Sequence, residues 1–205
     1  MNDASVTRGR ILKAARKLFA DKGFSGASIR EITASAGANL GAVTYHFGSK
    51  DKLYFEVMDT LADQLASRIE RAAAEAATPA DAMRAAIAAE FEFFTEAPDV
   101  PALLMHQVST GAQAPPPAIA RHMRRILAVF ARVVRSGVEQ GGFRPMDPVL
   151  ITFTVVSQSA WFALVGRFIG PVAFPGQDHA AVARRIQAHI TDVVCRALQS
   201  EDLNA

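Results

Sequence analysis

The sequence has little of the chemistry that enzymes and metal proteins use. Its single cysteine, Cys195, excludes an internal disulfide and a cysteine-rich zinc site, and its apolar surroundings predict a buried thiol. The five histidines show no i, i+4 pairing with acidic ligands. A glycine-rich phosphate loop and a nucleophile elbow are also lacking. These absences disfavour an enzyme and predict neither a metal site nor a cofactor.

The chain also has little that indicates a membrane or secretory segment. Residues 149–166 form an uncharged run of eighteen residues, which hydroxyl and amide side chains interrupt. A membrane-spanning helix takes about 20 residues, so a core or subunit-interface helix is the more economical interpretation. Because no apolar run precedes Ile11, we expect no secretory signal, no membrane partner and a reducing, cytoplasmic setting.

Lysine is missing from most of the chain, and its distribution reveals a basic N-terminal end. All five lysines lie between Lys13 and Lys52, and residues 1–55 hold nine Lys and Arg against four Asp and Glu. The remaining residues hold thirteen against sixteen, so the formal net charge of +2 hides this asymmetry. A basic end favours a polyanionic partner through Coulomb attraction and counterion release, although charge alone leaves an ordinary solvated surface open.

Helical periodicity dominates the chain, and no strand pattern or internal repeat is present. Apolar spacing, caps and proline breaks predict helices over these approximate ranges: 8–22, two short helices within 28–48, 49–76, 80–97, 102–108, 118–140, 147–169 and 179–200. The predicted fold is therefore all-α. We place a domain boundary inside the helix that begins after Ser49, which gives domains 4–64 and 65–205.

The segment 28–52 is the most informative part of the sequence. Ser28 followed by Glu31 is a capping box that opens a short helix. Gly37 can adopt the positive φ of a tight turn, and Asn39 is a good N-cap for a second short helix. Two short helices joined by such a turn have helix-turn-helix architecture, whose second helix enters the DNA major groove.

The motif 45–50 (YHFGSK) and further matched positions at fixed spacing carry a family resemblance. The further positions include Lys22-Gly23-Phe24, Ile32 and Ala36-Gly37. On these residues, positions 8–55 resemble the N-terminal domain of TetR-type transcriptional regulators. The resemblance implies a three-helix helix-turn-helix domain, followed by a helical domain that binds a ligand and forms a dimer.

Within the second short helix, Val43 and Phe47 are four residues apart and should pack against the preceding helix. Gly41, Ala42, Thr44 and Tyr45 would then lie on other faces, toward DNA. Two lines of reasoning about Leu40 conflict. Helical phase turns its side chain inward, whereas the matching family position commonly faces the bases. We favour contact with a thymine methyl. The candidate DNA-binding residues are Arg30, Asn39, Leu40, Gly41, Ala42, Thr44, Tyr45, His46 and Lys50.

These candidates divide into base readers and phosphate contacts. Among these candidates Arg30 has the chemistry of a polar base reader, since arginine can bond guanine through two donors. A phosphate contact or an ion pair with Glu31 or Asp3 is the alternative. Tyr45, His46 and Lys50 suit the phosphate backbone, and Lys50 stands in the first turn of a helix. A buried, hydrogen-bonded histidine is the alternative for His46.

The second domain should supply a dimer interface and an effector pocket. Reading a palindromic operator on double-stranded DNA requires two such domains, so we expect a homodimer. Its apolar candidates on the last two helices are Val149, Ile151, Phe153, Val156, Trp161, Leu164, Ile186, Ile190, Val193 and Leu198. The resemblance implies a small-molecule pocket, for which we expect a hydrophobic, aromatic or anionic effector. The pocket candidates are Phe94, Leu104, His106, Gln107, Phe130, Gln158, Trp161, Phe162 and Arg167.

The sequence therefore predicts a ligand-responsive DNA-binding regulator, most often a repressor in this family. One alternative keeps the helix-turn-helix only as the scaffold of a helical interaction module, because Leu40, Gly41 and Ala42 offer little polarity. The pocket residues have their own alternative, since aromatic side chains at helical spacing more often fill a core. The operator and the effector are not identified by the sequence.

Overall fold

The computed structural model describes residues 3–109 and 114–200, and at residues 3 and 106–108 it describes the backbone alone. The described residues form nine helices and no strand, which confirms the predicted all-α fold. The helices are α1 (Asp3–Gly26), α2 (Ile29–Ala36), α3 (Ala42–Phe47), α4 (Lys50–Ala74), α5 (Pro79–Glu96), α6 (Val100–Ser109), α7 (Pro117–Glu139), α8 (Pro148–Ala173) and α9 (His179–Leu198).

Side-chain caps explain where most of these helices begin. A hydroxyl or carboxylate oxygen accepts a hydrogen bond from a first-turn backbone N–H at 2.8–3.2 Å in five helices. The five caps are Ser28, Ser49, Thr78, Asp147 and Asp178. Each cap satisfies a donor that the helix itself leaves unpaired. The capping box predicted at Ser28 and the helix starts predicted near residues 49 and 80 are therefore confirmed.

Two helices extend beyond their predicted ends. α1 continues to Gly26, but Gly23 has φ 70° and ψ 172°, so the helix is interrupted at the predicted stop. α8 continues through Pro171 to Ala173, past the predicted end at Ile169. A proline this close to a helix end removes one hydrogen bond, and the last turn still closes through the Phe174 N–H and the Gly170 carbonyl at 2.8 Å.

The chain divides into two compact units, one formed by Met1–Ala62 and Ala102–Ala120 and the other by Asp63–Pro101 and Arg121–Ala205. In the first unit, Phe19 of α1 and Tyr54 of α4 meet edge to face, with ring centroids 5.1 Å apart. The Tyr54 hydroxyl donates to the Leu103 carbonyl at 2.8 Å. These contacts fix α1 and α4 around a shared aromatic core.

In the second unit, α5, α8 and α9 pack against one another. Their buried apolar side chains include Met83, Ile87, Phe91, Phe94, Val155, Val194 and Leu198. Cys195 is buried as predicted. Burial raises the pKa of the Cys195 thiol, which keeps it in its unreactive protonated form.

The outer side of α8 is apolar and exposed. By length and composition α8 could cross a membrane, with a mean hydropathy of 1.7 over eighteen residues, of which 28% are buried. The exposed apolar side chains on α8 are Val149, Leu150, Phe153, Trp161, Phe168, Ile169 and Val172. Among the predicted interface residues, however, Ile151, Ile190 and Leu198 are buried within the chain. Placing those three at a subunit interface was wrong, because they fill the core of the second unit.

Candidate nucleic-acid interface

The turn between α2 and α3 forms as its sequence predicts. Ser28 Oγ accepts from the Glu31 N–H at 3.1 Å, and the Glu31 carboxylate accepts from the Ser28 N–H at 3.0 Å. α2 ends at Gly37, whose φ of 60° lies in the left-handed region, and the Ala38 N–H bonds to the Thr33 carbonyl at 2.9 Å. The capping box and the glycine stop therefore set the two ends of α2.

The start of α3 differs from the prediction. Gly41 is the N-cap residue, and no side chain caps the helix, so the expected cap at Asn39 was wrong. The Asn39 backbone carbonyl accepts from the Ala42 N–H at 3.1 Å, which closes a turn through Leu40 and Gly41. Asn39 thus shapes the entry to α3 through its backbone, and its side chain stays exposed.

α3 buries one of its faces against the rest of the first unit. Val43 is 0% exposed and Phe47 6% exposed, and Ile32 and Ala36 of α2 are buried as well. This burial agrees with the predicted anchoring of α3 by Val43 and Phe47. Ala42 is also buried, at 7% exposed, so the expectation that it faces outward was wrong. The first turn of α3 lies close enough to the rest of the first unit for the Ala42 methyl group to be buried.

The opposite face of α3 is open to solvent. Tyr45 is 80% exposed and Leu40 56% exposed, and Thr44 is exposed beside them. The exposure of Leu40 is opposite to what helical phase suggested, because Leu40 lies in the turn before α3 begins. His46 is half-buried, and its ring meets that of Tyr45 edge to face at 4.8 Å.

A concave surface of about 620 Å³ adjoins this face. Its lining comes from α1, the turn and α3, and comprises Ala4, Thr7, Arg10, Gly37, Ala38, Asn39, Gly41, Ala42, Tyr45 and His46. Arg10 supplies a positive charge there and donates to Thr7 Oγ1 at 3.3 Å. A hollow with arginine, imidazole and phenol groups on its wall suits a phosphate group.

Arg30 is exposed at the start of α2. Its guanidinium makes no hydrogen bond or ion pair with any side chain in the described part of the chain. Lys22 Nζ instead donates to Glu31 Oε1 at 2.6 Å, and this bond, with those from Ser28, lowers the pKa of Glu31 to about 2. Glu31 is thus engaged by Lys22 and Ser28, so the predicted alternative of an Arg30–Glu31 pair does not form.

Lys50 is half-buried in the first turn of α4. Its Nζ lies 4.4 Å from the centroid of the Phe24 ring, which orients the ammonium by a cation–π contact. The Ser49 hydroxyl caps the same turn by accepting from the Lys52 N–H at 3.2 Å. A held ammonium beside the positive end of a 25-residue helix provides a site for an anion.

The residues predicted to line an effector pocket do not gather in one place. Phe94 and Phe130 are buried, whereas Leu104 is half-buried in the first unit. The side chains of His106 and Gln107 lie outside the described residues. Phe162 is half-buried and lines a small cleft with Phe94.

Three of the predicted pocket residues face solvent. Gln158 and Arg167 are exposed and Trp161 is 59% exposed, so the expectation that they line a pocket within one chain was wrong. The reason is helical phase along α8. Ser159 and Gly166 form its buried side, and the three exposed residues lie on the other side.

Sequence reasoning missed Glu90 of α5, which is 0% exposed. Ser159 Oγ donates to Glu90 Oε1 at 2.5 Å, and burial raises the pKa of the carboxyl to about 7. One signal could have revealed it, because Glu90 stands in the apolar stripe of Met83, Ile87 and Phe94 at helical spacing.

A polar cluster that joins α4 and α7 was also missed. Arg125 donates to both carboxylate oxygens of Glu70, at 2.8 and 2.6 Å, and to Asp63 Oδ1 at 2.6 Å. These bonds lower the pKa of both carboxyls. His122 is buried beside Arg125, with Nη1 and Nδ1 3.0 Å apart. The cluster fixes the C-terminal part of α4 to α7.

Within residues 3–109 and 114–200, no group of three or more His, Cys, Asp and Glu could hold a metal ion.

Comparisons with known proteins agree with the architecture of both parts. The family model for bacterial regulatory proteins of the tetR family matches residues 11–57, and that for the tetracyclin repressor-like C-terminal domain matches residues 79–194. The HTH-type transcriptional repressor NicS of Pseudomonas putida is 29% identical over 151 residues, which cover 73% of this chain and 70% of NicS.

Two solved structures illustrate the similarity in fold. A bacterial regulatory protein in the tetR family from Rhodococcus RHA1 has a TM-score of 0.75 at 22% identity, covering 98% of this chain and 100% of that one. AibR, in complex with isovaleryl coenzyme A and operator DNA, has a TM-score of 0.69 at 19% identity, covering 91% and 97%.

Proposed function

Because this chain belongs to the tetR family of bacterial regulatory proteins, we propose that it is a homodimeric repressor released from its operator by a small hydrophobic effector. The family membership makes it a DNA-binding transcriptional regulator. The proposal adds the sign of regulation, the dimer, the effector and the residues that serve each. We also propose that the protein acts by binding DNA and effector, without catalysing a reaction, and that it does so in the cytoplasm.

The observation that carries the proposal is the exposed face of α2 and α3. Val43 and Phe47 hold α3 to the domain, and Leu40, Thr44 and Tyr45 are left facing solvent. Leu40 in the turn and Tyr45 on α3 thus form, with Thr44, an exposed surface on the side of α3 that does not pack within the chain. We propose that Leu40 contacts a thymine methyl and that Tyr45 donates to a phosphate.

Gly41 supports a close approach of the backbone to DNA. Its φ of −73° is open to any residue, so the turn itself does not require glycine. A Cβ built at this position meets only Asn39 Oδ1, at 3.7 Å, which is an ordinary contact. Since neither the backbone nor the packing of this chain explains a glycine, we propose that the DNA backbone or a base edge occupies that space.

Charged side chains around this face have separate roles. Arg30 is exposed and unpaired among the described residues, so its guanidinium is available for a base or a phosphate. We propose that it reads guanine from the start of α2. Lys50, oriented by Phe24, and half-buried His46 would contact phosphates with no preference for sequence.

The outer face of α8 supports the homodimer. Phe153, Trp161 and Phe168 are 65%, 59% and 86% exposed, and a monomer rarely leaves such a contiguous apolar surface uncovered. We propose that α8, with Val193 of α9, pairs with the same surface of a second copy. A two-fold pair also places two recognition helices on one face of the DNA, about one helical turn apart.

We propose that the effector binds in the second unit, in the cleft between α5, α8 and the start of α9. Phe91, Phe94 and Phe162 line this cleft. A ligand that binds one arrangement of these helices more tightly than another would shift the population of DNA-competent dimers.

Selection of bound sequences from a random duplex pool tests this function directly. We expect enrichment of two inverted half-sites about one helical turn apart, two chains per selected duplex, and binding that weakens steeply with added salt. A monomer that shows no affinity for any duplex at low salt would contradict the proposal. That result would favour a helical interaction module that keeps the helix-turn-helix as a scaffold.

A further inference from the structure

Glu90 occupies an unusual position for a carboxylate. It is 0% exposed in the core of the second unit, between the apolar residues of α5 and α8. Ser159 Oγ donates to its Oε1 at 2.5 Å, while its Oε2 has no hydrogen-bond partner among the residues that the structure describes. An unpaired buried oxygen destabilises the folded chain, so a partner from outside the chain would be strongly bound there.

The Glu90–Ser159 pair adjoins the cleft described above. Ser159 lines the cleft together with Phe91, Phe94 and Phe162. On α5, Glu90 precedes Phe91 and lies one turn before Phe94, so the carboxyl group and the aromatic wall share one side of the helix. Of the Glu90–Ser159 pair only Ser159 lines the cleft, so a molecule that fills the cleft approaches the Glu90 carboxyl group beside the Ser159 hydroxyl.

The cleft is closed by two stacked rings. The Phe162 ring of α8 and the His179 ring at the start of α9 lie parallel within 10°, with centroids 5.1 Å apart. The open space is about 10 Å³, which is room for one water molecule. Because Phe162 and His179 both line the cleft, a larger ligand that enters between them has to displace their stack, by rotation of the side chains or by a shift of α8 relative to α9.

The chemistry of the site favours a cation. None of the described residues that line the cleft is a lysine or an arginine, so no fixed positive charge faces Glu90 from the cleft. Aromatic ring faces attract ammonium groups, and a buried carboxylate lacks the counter-ion that it would need in its charged form. An anionic ligand would meet repulsion from the Glu90 carboxylate, and the lining offers it the His179 imidazole but no lysine or arginine. Arg167, one of the predicted pocket residues, faces solvent.

We propose that this cleft binds a hydrophobic organic cation, an amine joined to an apolar group, whose N–H donates to Glu90 Oε2. The apolar group lies between the phenylalanines of α5 and Phe162. The ligand displaces the Phe162–His179 stack as it enters. This inference deepens the effector site of the proposed function, because it names the class of effector and the residue that recognises its charge.

The test compares three probes of nearly equal shape on the full-length protein without DNA: 2-phenylethylamine, 2-phenylethanol and 3-phenylpropanoate. Calorimetric titration and thermal unfolding should show that the amine binds at least tenfold more tightly than the alcohol, and that the carboxylate does not bind. Equal binding of amine and alcohol would overturn the assignment of a cation, as would preference for the carboxylate. Failure of all three to bind would overturn the site.

Variants locate the charge that the amine contacts. Glu90→Gln keeps the shape of the side chain and should reduce amine affinity at least tenfold, with no effect on affinity for the alcohol. Glu92→Gln, an exposed position two residues away, should bind the amine as the wild type does. Unchanged amine affinity in Glu90→Gln would overturn the inference. If this variant does not fold, the probe comparison on the wild type still decides.

Failure of this inference is distinguishable from failure of the proposed function. Both readouts are taken without DNA, so amine binding can be found or lost whatever the outcome of the duplex selection. Adding the amine to the protein–operator complex then tests whether amine binding and DNA release are coupled. Release of DNA by wild type and retention by Glu90→Gln is the expected result. Release from both proteins alike would show that Glu90 does not recognise the effector.

Discussion

Replacing Glu90 by glutamine should change how the free energy of unfolding depends on pH. Burial raises the pKa of the Glu90 carboxyl from 4.5 to about 7, against a lowering by its hydrogen bond with Ser159. Between these two values the folded protein keeps a proton that the unfolded chain has already released. The free energy of unfolding should therefore decrease as pH rises through this interval and level off above about pH 7.

The size of this effect follows from the width of the interval. At about 1.4 kcal/mol for each unit of pKa, Glu90 should remove about 3 kcal/mol of stability between pH 4.5 and pH 7. Glutamine does not titrate, so the difference in unfolding free energy between wild type and Glu90→Gln isolates this contribution from other groups. That difference should shift in favour of glutamine as pH rises.

Denaturant unfolding from pH 4.5 to pH 8 measures the difference at each pH. Glu92→Gln provides the control, because residue 92 is exposed on the same helix, and its curve should run parallel to that of the wild type. Parallel curves for wild type and Glu90→Gln would refute the reasoning. A difference that changes in the opposite direction would show that the buried carboxyl is paired with a positive charge.

Three further predictions concern the DNA-binding face and the proposed dimer. Gly41→Ala should leave the thermal midpoint unchanged or higher, since a Cβ meets only Asn39 Oδ1 at 3.7 Å. The same variant should bind the operator more weakly than the wild type. Operator affinity equal to that of the wild type would show that DNA does not approach this position. Lys50→Ala should weaken binding to every duplex, whereas Arg30→Ala should relax preference at one operator position by about 1–3 kcal/mol, and identical behaviour of the two would contradict these roles. Phe153→Arg should convert the dimer to a monomer in sedimentation measurements; an unchanged dimer would place the interface elsewhere.

Local signals predicted the helix-turn-helix because each lies within a few residues of the backbone group that it affects. Ser28, Glu31 and Gly37 act on one short helix and its end. The predicted start of α3 was wrong because a local signal can act in more than one way. Asn39 can cap through its side chain or turn the chain through its carbonyl, and the sequence is compatible with both. Leu40 then lies before the helix, where helical phase no longer applies.

The second domain was less predictable because its helices are apolar on most sides. On α8, periodicity does not distinguish a face that packs within the chain from one that needs a second chain. The burial of Ile151 and the exposure of Trp161 depend on where α5 and α9 lie, which is a property of the folded unit. The apolar stripe on α5 could have indicated that Glu90 is buried, but not its hydrogen bond with Ser159, which is 69 residues away in the sequence.

The most direct test of the central claim is the dependence of operator affinity on half-site spacing. A rigid two-fold pair of α2–α3 surfaces can engage both half-sites only when these lie on the same face of the duplex. Inserting roughly five base pairs, or half a helical turn, between the selected half-sites should lower the affinity at least a hundredfold. Affinity that is unchanged by the insertion would contradict an account in which two coupled recognition helices read the operator.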